Sequence, residues 1–287
     1  MVDARAELKK YKQEIDNTLH EILKNVGVHD GTIPPVITYN MFPGGKRLRP
    51  LLTLLIYKAL KGTQGTIMHC ACVPELIHIA TLMLDDLPCM DNSDLRRGQP
   101  TSHKKFGEAD TILVAFGLIT HAFHVLSDKK NIQGVDARDV VALHHAISNK
   151  IGLEGLIGGQ VADLNSGKNL LNCTNDAEKI ELITYHKTAN LFEVCALIAT
   201  TIAQASTTER DRYLHYAKNV GMTLQLADDI QDVDEDMMLS YPKAHGIEHT
   251  KELLNGYAKE ASACITEDNE TAELLRAIPR ILAEKIA

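Results

Sequence analysis

Apolar side chains recur along this chain at intervals of three and four, the spacing of one face of an α-helix. Leu8, Tyr11, Ile15, Leu19, Ile22 and Leu23 predict a first helix with a polar outer face. Gly27 to Pro35, with its glycines and a Pro-Pro pair, predicts a break. After the turn GGKRLRP (Gly44–Pro50) comes an apolar helix over Leu51–Leu60. Val73, Leu76, Ile77, Ala80 and Leu84 form the next stripe, and Pro88 bends or ends that helix inside a run of acids. Further helices are predicted over Ala109–Leu126, Val140–Ile157 and Asn175–Thr200, with a polar loop at Lys129–Gly134. No alternating strand run, internal repeat or low-complexity tract is visible. The pattern predicts an all-α fold, a single-domain helical bundle over residues 1–287 around a deep central cavity.

Composition narrows the chemistry. With 287 residues, 45% apolar and 24% charged, the chain can bury one large core. Thirty basic against 38 acidic residues leave a net charge of −8, which disfavours wholesale nucleic-acid binding. An anionic ligand would have to be held by local cations and metal instead. The six cysteines have no zinc spacing, so buried thiols are expected. No apolar run looks long enough to cross a bilayer. The amphipathic, acid-containing N-terminus is unlike a targeting peptide, and a cytoplasmic location is expected.

Two acidic clusters stand out. DDLPCMDNSDLRRG (Asp85–Gly98) sets Asp85, Asp86, Asp91 and Asp94 close together ahead of Arg96 and Arg97. Crowded carboxylates raise each other's pKa unless a cation shares them. Oxygen-only ligands suit Mg²⁺, which completes its shell with substrate phosphates, and an arginine pair grips such phosphates bidentately. The plain alternative is an exposed acidic corner with no role. In LQLADDIQD (Leu224–Asp232), helical spacing puts Asp228, Asp229 and Asp232 on one face. In GGKRLRP, glycines free the backbone while Lys46, Arg47 and Arg49 project three cations. That loop is either a solvated basic turn or a phosphate clamp. Neither a GxxxxGK[ST] loop nor a strand–GxGxxG–helix unit occurs, so nucleotide binding has no support.

These motifs, with His78, GGQVADL (Gly158–Leu164) and Lys187-Thr188, resemble the trans-isoprenyl diphosphate synthases in order and over nearly the whole chain. LPCMDN (Leu87–Asn92) is most similar to the geranylgeranyl diphosphate synthases of that group. The resemblance implies condensation of isopentenyl diphosphate with an allylic diphosphate (dimethylallyl, geranyl or farnesyl). It implies catalytic Asp85, Asp86, Asp91, Asp228, Asp229, Asp232 and Lys187. Of these, Asp85, Asp86, Asp91, Asp228 and Asp232 would hold about three Mg²⁺ ions per site. Lys46, Arg49, His78, Arg96 and Arg97 would bind substrate, as would Gln160, Lys187, Thr188 and Gln225, with Asp163 beside them. The departing diphosphate takes the proton in that family, and the enzymes dimerise, which implies a homodimer here. Ala80 and Thr81 lie one turn before Asp85, and a small residue at Ala80 implies a deep tunnel and a twenty-carbon product.

Departures from the family pattern are local. The segment VDEDMMLSYP after Asp232 is short and lacks two lysines of the family's loop; Lys243 matches neither. Either the loop is truly shortened, leaving an altered allylic site, or a stretch of the natural chain is missing from this sequence. The segment before GGKRLRP also looks short. Phe116 replaces an aspartate in the helix after the first motif. Three other readings stay open: a farnesyl diphosphate synthase, a catalytically silent partner subunit, and a terpene cyclase. Intact acidic motifs count against the second, and GGKRLRP counts against the third.

Overall fold

The computed structural model describes residues 4–27, 31–42, 44–61, 67–166, 175–233 and 240–284. The described residues are overwhelmingly helical, with a single two-stranded ribbon, and fall into two compact units.

One unit takes in Arg5–Leu51 and Gln64–Gly134. It holds α1 (Ala4–Leu23), α2 (Ile33–Met41), the first turn of α3 (Leu48–Lys61), α4 (Ile67–Ala71), α5 (Val73–Asp85), α6 (Ser102–Phe106) and α7 (Glu108–Ser127). Pro34 and Pro35 do not prolong the break after α1. They sit in the first turn of α2, where a missing N–H costs nothing and the fixed φ is already helical. The core of this unit is α5 packed on α7, and both helices are apolar along most of their length. Ile67–Asp85 and Glu108–Ser127 are in fact long and apolar enough to cross a bilayer, which corrects the expectation that no run reaches that length. Only Cys72 separates α4 from α5, so the apolar stretch outruns the stripe read from Val73. Most of the first stretch is buried within the protein, where it builds the core.

The other unit takes in Leu52–Thr63 and Val135–Ala287, with Met1–Ala4. It holds the rest of α3, then α8 (Ala137–Ile151), α9 (Leu156–Leu164), α10 (Asp176–Thr184), α11 (Asn190–Ile202), α12 (Thr207–Gln231), α13 (Tyr241–His245), α14 (Ile247–Cys264) and α15 (Glu270–Ala283). Every residue of α11 is buried, as a helix that is apolar on all sides requires. α12 packs on it and on α14, and starts from a capping box in which Ser206 and Glu209 satisfy each other's backbone N–H groups. Two predicted helices are each divided. The stretch Gly152–Gly155 separates α8 from α9, and a π-helical turn, Tyr185–Ala189, lies between α10 and α11.

Candidate active site

In the first unit, α5 ends at Asp85 and the acidic loop folds back on the helix end. The Asp91 N–H donates to the Asp85 carbonyl at 2.9 Å, and Met90 and Asn92 donate to the Leu87 carbonyl. Pro88 therefore follows the helix rather than kinking it, and the loop returns Asp91 to Asp85 as the bend implied. Asp86 is buried and takes a forked grip from Arg96, with Nε at 2.9 and 2.8 Å from its two oxygens and Nη2 at 2.6 Å. That bond holds the Arg96 guanidinium above its ordinary pKa despite partial burial. Arg96 thus serves Asp86 in this structure. Leu95–Arg96 and Gln99–Pro100 pair as a ribbon whose central residues, Arg97 (φ 54°) and Gly98 (φ 76°), both have positive φ, as tight two-residue hairpins demand. The turn sends Arg97 against the backbone of Gly45, where an added Cβ would sit 2.8 Å from its Nη2. A cavity of about 60 Å³ opens beside it, lined by Met83, Asp86, Arg96 and Arg97 among others.

GGKRLRP does not project all three of the cations its sequence predicts. Lys46 is exposed and Arg49 half-buried, but Arg47 turns inward and is 1% exposed. Its Nε donates to Asp16 and its Nη1 to Glu75, both at 2.8 Å, while Nη2 donates to the Met41 carbonyl at 2.6 Å. The guanidinium fills the space over Gly44, where a Cβ would collide with it at 1.9 Å. Three adjacent cations look alike in a sequence; only their partners 31 and 28 residues away separate the structural one. His78 is held well below its ordinary pKa by burial, then by Arg49, Arg97, Arg96 and Arg47 around it. It is a neutral ring among cations. Ala80 is fully buried on α5, and the Thr81 hydroxyl donates to the His78 carbonyl at 2.8 Å.

In the second unit, the π-helical turn presents Lys187 and Thr188. Lys187 Nζ meets Asp163 of α9 at 2.7 Å, so a protein carboxylate supplies its counter-charge here. Thr188 donates to Gln225 at 2.9 Å, Gln225 donates to Asp229 at 2.7 Å, and Asp229 accepts the Tyr241 N–H at 3.0 Å. The predicted shared face of three aspartates is therefore divided: Asp228 is half-buried and Asp232 exposed, but Asp229 is buried and spent on Gln225 and Tyr241. Burial raises the Asp229 pKa, outweighing its two hydrogen bonds, and Asp232 and Asp163 add to the rise. Gln160 is 8% exposed, and neither atom of its amide has a partner among the described residues. A buried amide left so costs about 1–3 kcal/mol, which a polar ligand would recover. Residues 234–239 of the segment after Asp232 lie outside the described residues. Among the described residues no three His, Cys, Asp or Glu side chains converge as a preformed metal cluster. Cys89, in the acidic loop, is exposed rather than buried, whereas Cys70, Cys72 and Cys195 are buried as expected.

The Polyprenyl synthetase family profile matches residues 31–242, most of the chain. This chain belongs to the polyprenyl synthetase family. It is 37% identical over 243 residues to the heterodimeric geranylgeranyl pyrophosphate synthase large subunit 1, chloroplastic, of Arabidopsis thaliana, covering 80% of this chain and 65% of the relative. To geranylgeranyl pyrophosphate synthase 11, chloroplastic, of the same plant it is 36% identical, covering 80% and 68%. The chain thus spans about two thirds of the length of the curated relatives it matches. An apo FPP/GFPP synthase from Zymomonas mobilis superposes with a TM-score of 0.87 at 29% identity, covering 98% of this chain and 99% of the other. A geranyltransferase from Legionella pneumophila gives 0.87 at 28%, covering 98% and 97%. The fold is that of the prenyl synthases.

Proposed function

We propose that this member of the polyprenyl synthetase family is a chain-elongating prenyltransferase. It joins isopentenyl diphosphate to dimethylallyl, geranyl or farnesyl diphosphate and releases a longer all-trans prenyl diphosphate, geranylgeranyl diphosphate by preference. The observation that carries this reading is the crowd of cations at one corner, where Arg97 lies on the Gly45 backbone and Arg49 and Arg97 act on a neutral His78. Such charge density suits a polyanion. Lys46, Arg49 and Arg97 bind the diphosphate of isopentenyl diphosphate, and His78 donates an N–H to it without adding charge. Lys187, Thr188, Gln160 and Gln225 bind the allylic diphosphate, and the unpartnered Gln160 amide supports that assignment. Asp229 braces Gln225. The departing diphosphate takes the proton, so no side chain is assigned as base. Apolar side chains of α5 keep water from the cationic carbon.

The acids present fit Mg²⁺, since their donor atoms are all oxygen and such an ion needs only one or two carboxylates besides phosphate. Within the first unit Asp85, Asp86 and Asp91 would hold it, and within the second Asp228 and Asp232 would do so. When bound, Mg²⁺ would neutralise the diphosphate as it leaves. A homodimer would have apolar surface to cover, because Ile112, Leu113 and Phe116 on α7 are 44, 69 and 67% exposed.

Calorimetric titration tests the two-substrate reading. Isopentenyl diphosphate is expected to bind without metal, through cations alone, and farnesyl thiodiphosphate only with Mg²⁺ present. Metal-free binding of both, or of neither, contradicts it. For product length, Ala80→Tyr is expected to shorten the product, because Ala80 is fully buried and added bulk must go inward. Chromatography showing an unchanged chain length would remove Ala80 as a determinant.

A further inference from the structure

The π-helical turn Tyr185–Ala189 widens one ring of the helical ladder, a geometry that survives where neighbouring groups hold it. Two glycines let helices approach it closely. A Cβ on Gly159 of α9 would lie 2.7 Å from the Lys187 backbone nitrogen, and one on Gly221 of α12 would lie 2.9 Å from Ala189 Cα. The turn is also held by charge. Lys150, at the end of α8, places its ammonium 2.6 Å from Glu193 Oε2, 3.0 Å from the Tyr185 hydroxyl and 3.3 Å from Asn190 Oδ1. The Tyr185 hydroxyl in turn donates to Glu193 at 3.1 Å, and the Asn190 amide contacts His186 Nδ1 at 3.3 Å. Asn190 and Glu193 are buried, so losing the ammonium would leave a carboxylate and an amide oxygen without their cation in a poorly solvated place. Tyr185 opens the turn, Asn190 follows it directly and Glu193 lies one helical turn further on. One side chain from a separate helix therefore gathers both ends of the irregular segment. The residues this segment displays are Lys187 and Thr188, fixed on its other side to Asp163 and Gln225.

We propose that Lys150 is a positioning residue for the allylic diphosphate. Its ammonium staples Tyr185, Asn190 and Glu193 together and so holds the π-helical turn in the shape that sets Lys187 and Thr188. This rests on the reading of Lys187 as an allylic-diphosphate ligand. A displacement of about 1 Å in such a group can cost up to about 10²-fold. Lys150→Met is therefore expected to raise KM for the allylic diphosphate by about 10-fold to 10²-fold, with KM for isopentenyl diphosphate unchanged. Lys150→Arg, which keeps the charge and its reach to Glu193, is expected to recover most of that loss. Tyr185→Phe removes the hydroxyl that accepts from Lys150 and donates to Glu193 but keeps the Lys150–Glu193 pair, and is expected to give a smaller rise in the same constant, whether or not Lys150→Met folds.

A double-mutant cycle with Lys187→Ala decides between causes. If Lys150 acts through Lys187, Lys150→Met adds little to allylic KM in the Lys187→Ala background. Full additivity overturns the proposal. So does a Lys150→Met or Tyr185→Phe enzyme that loses only kcat, or raises both KM values equally, as loss of folded protein or of general packing would. If Lys187→Ala itself leaves allylic KM unchanged while Lys150→Met raises it, the ligand role of Lys187 fails and the staple acts on another group.

Discussion

Asp85→Asn is expected to lower kcat by about 10²-fold to 10³-fold while leaving the affinity for isopentenyl diphosphate unchanged. Asp85 is the last residue of α5, and its backbone carbonyl receives the Asp91 N–H at 2.9 Å. Asparagine keeps that carbonyl and the side-chain volume and removes the negative charge. A charge that acts when diphosphate departs is one whose loss appears in kcat more than in ground-state binding. Arg97 and His78 are not touched by the change, which is why the metal-free binding of isopentenyl diphosphate should persist. Pre-steady-state kinetics with farnesyl diphosphate measures the step directly. A kcat within a few-fold of the parent enzyme would remove Asp85 from the machinery.

Arg47→Met is expected to cost about 3–5 kcal/mol of stability, the cost of breaking a buried ion pair from one side. Arg47 is 1% exposed and holds Asp16, Glu75 and the Met41 carbonyl at once, so α1, α2 and α5 all meet on its guanidinium. Burial alone would lower the Arg47 pKa; Glu75 and Asp16 outweigh it and raise it. Methionine fills the volume but leaves Glu75 buried without a cation. Chemical denaturation measures the loss, and a change below 1 kcal/mol would contradict the role assigned to the triad. The pair also has a pH signature. Burial pushes Asp16 up, but its bonds to Lys12 and Arg47 pull it below its ordinary value overall. A carboxyl lowered by folding contributes stability above the unfolded pKa, and that contribution is lost as pH falls through the folded pKa. The parent protein should therefore lose stability on acidification below about pH 4, and Arg47→Met should lose less over the same interval.

The long helices and the acidic motifs were legible because both are local. An apolar stripe at helical spacing predicts α5 and α7 to within a residue or two, and the aspartates follow the end of α5 in the order they are written. What was not legible depends on residues far apart in the chain. Arg47 is indistinguishable from Lys46 and Arg49 until Asp16 and Glu75 are brought to it. Asp229 shares its helical spacing with Asp228 and Asp232, yet Gln225 and the backbone of α13 draw it inward. The π-helical turn lies inside residues 175–200, which read as plain helix, and the groups packed around it, Lys150, Gly159 and Gly221, come from elsewhere in the chain. The Pro34-Pro35 pair reads as part of a break, because proline's other common place, the first turn of a helix, shows only once the helix is seen to begin at Ile33.

The most direct test of prenyl chain elongation is incubation of the protein with Mg²⁺, farnesyl diphosphate and labelled isopentenyl diphosphate, followed by chromatography of the dephosphorylated products. The account predicts label in a twenty-carbon all-trans alcohol that disappears when the metal is chelated. A cyclic hydrocarbon, or no incorporation by protein shown to be folded and metal-replete, would contradict it.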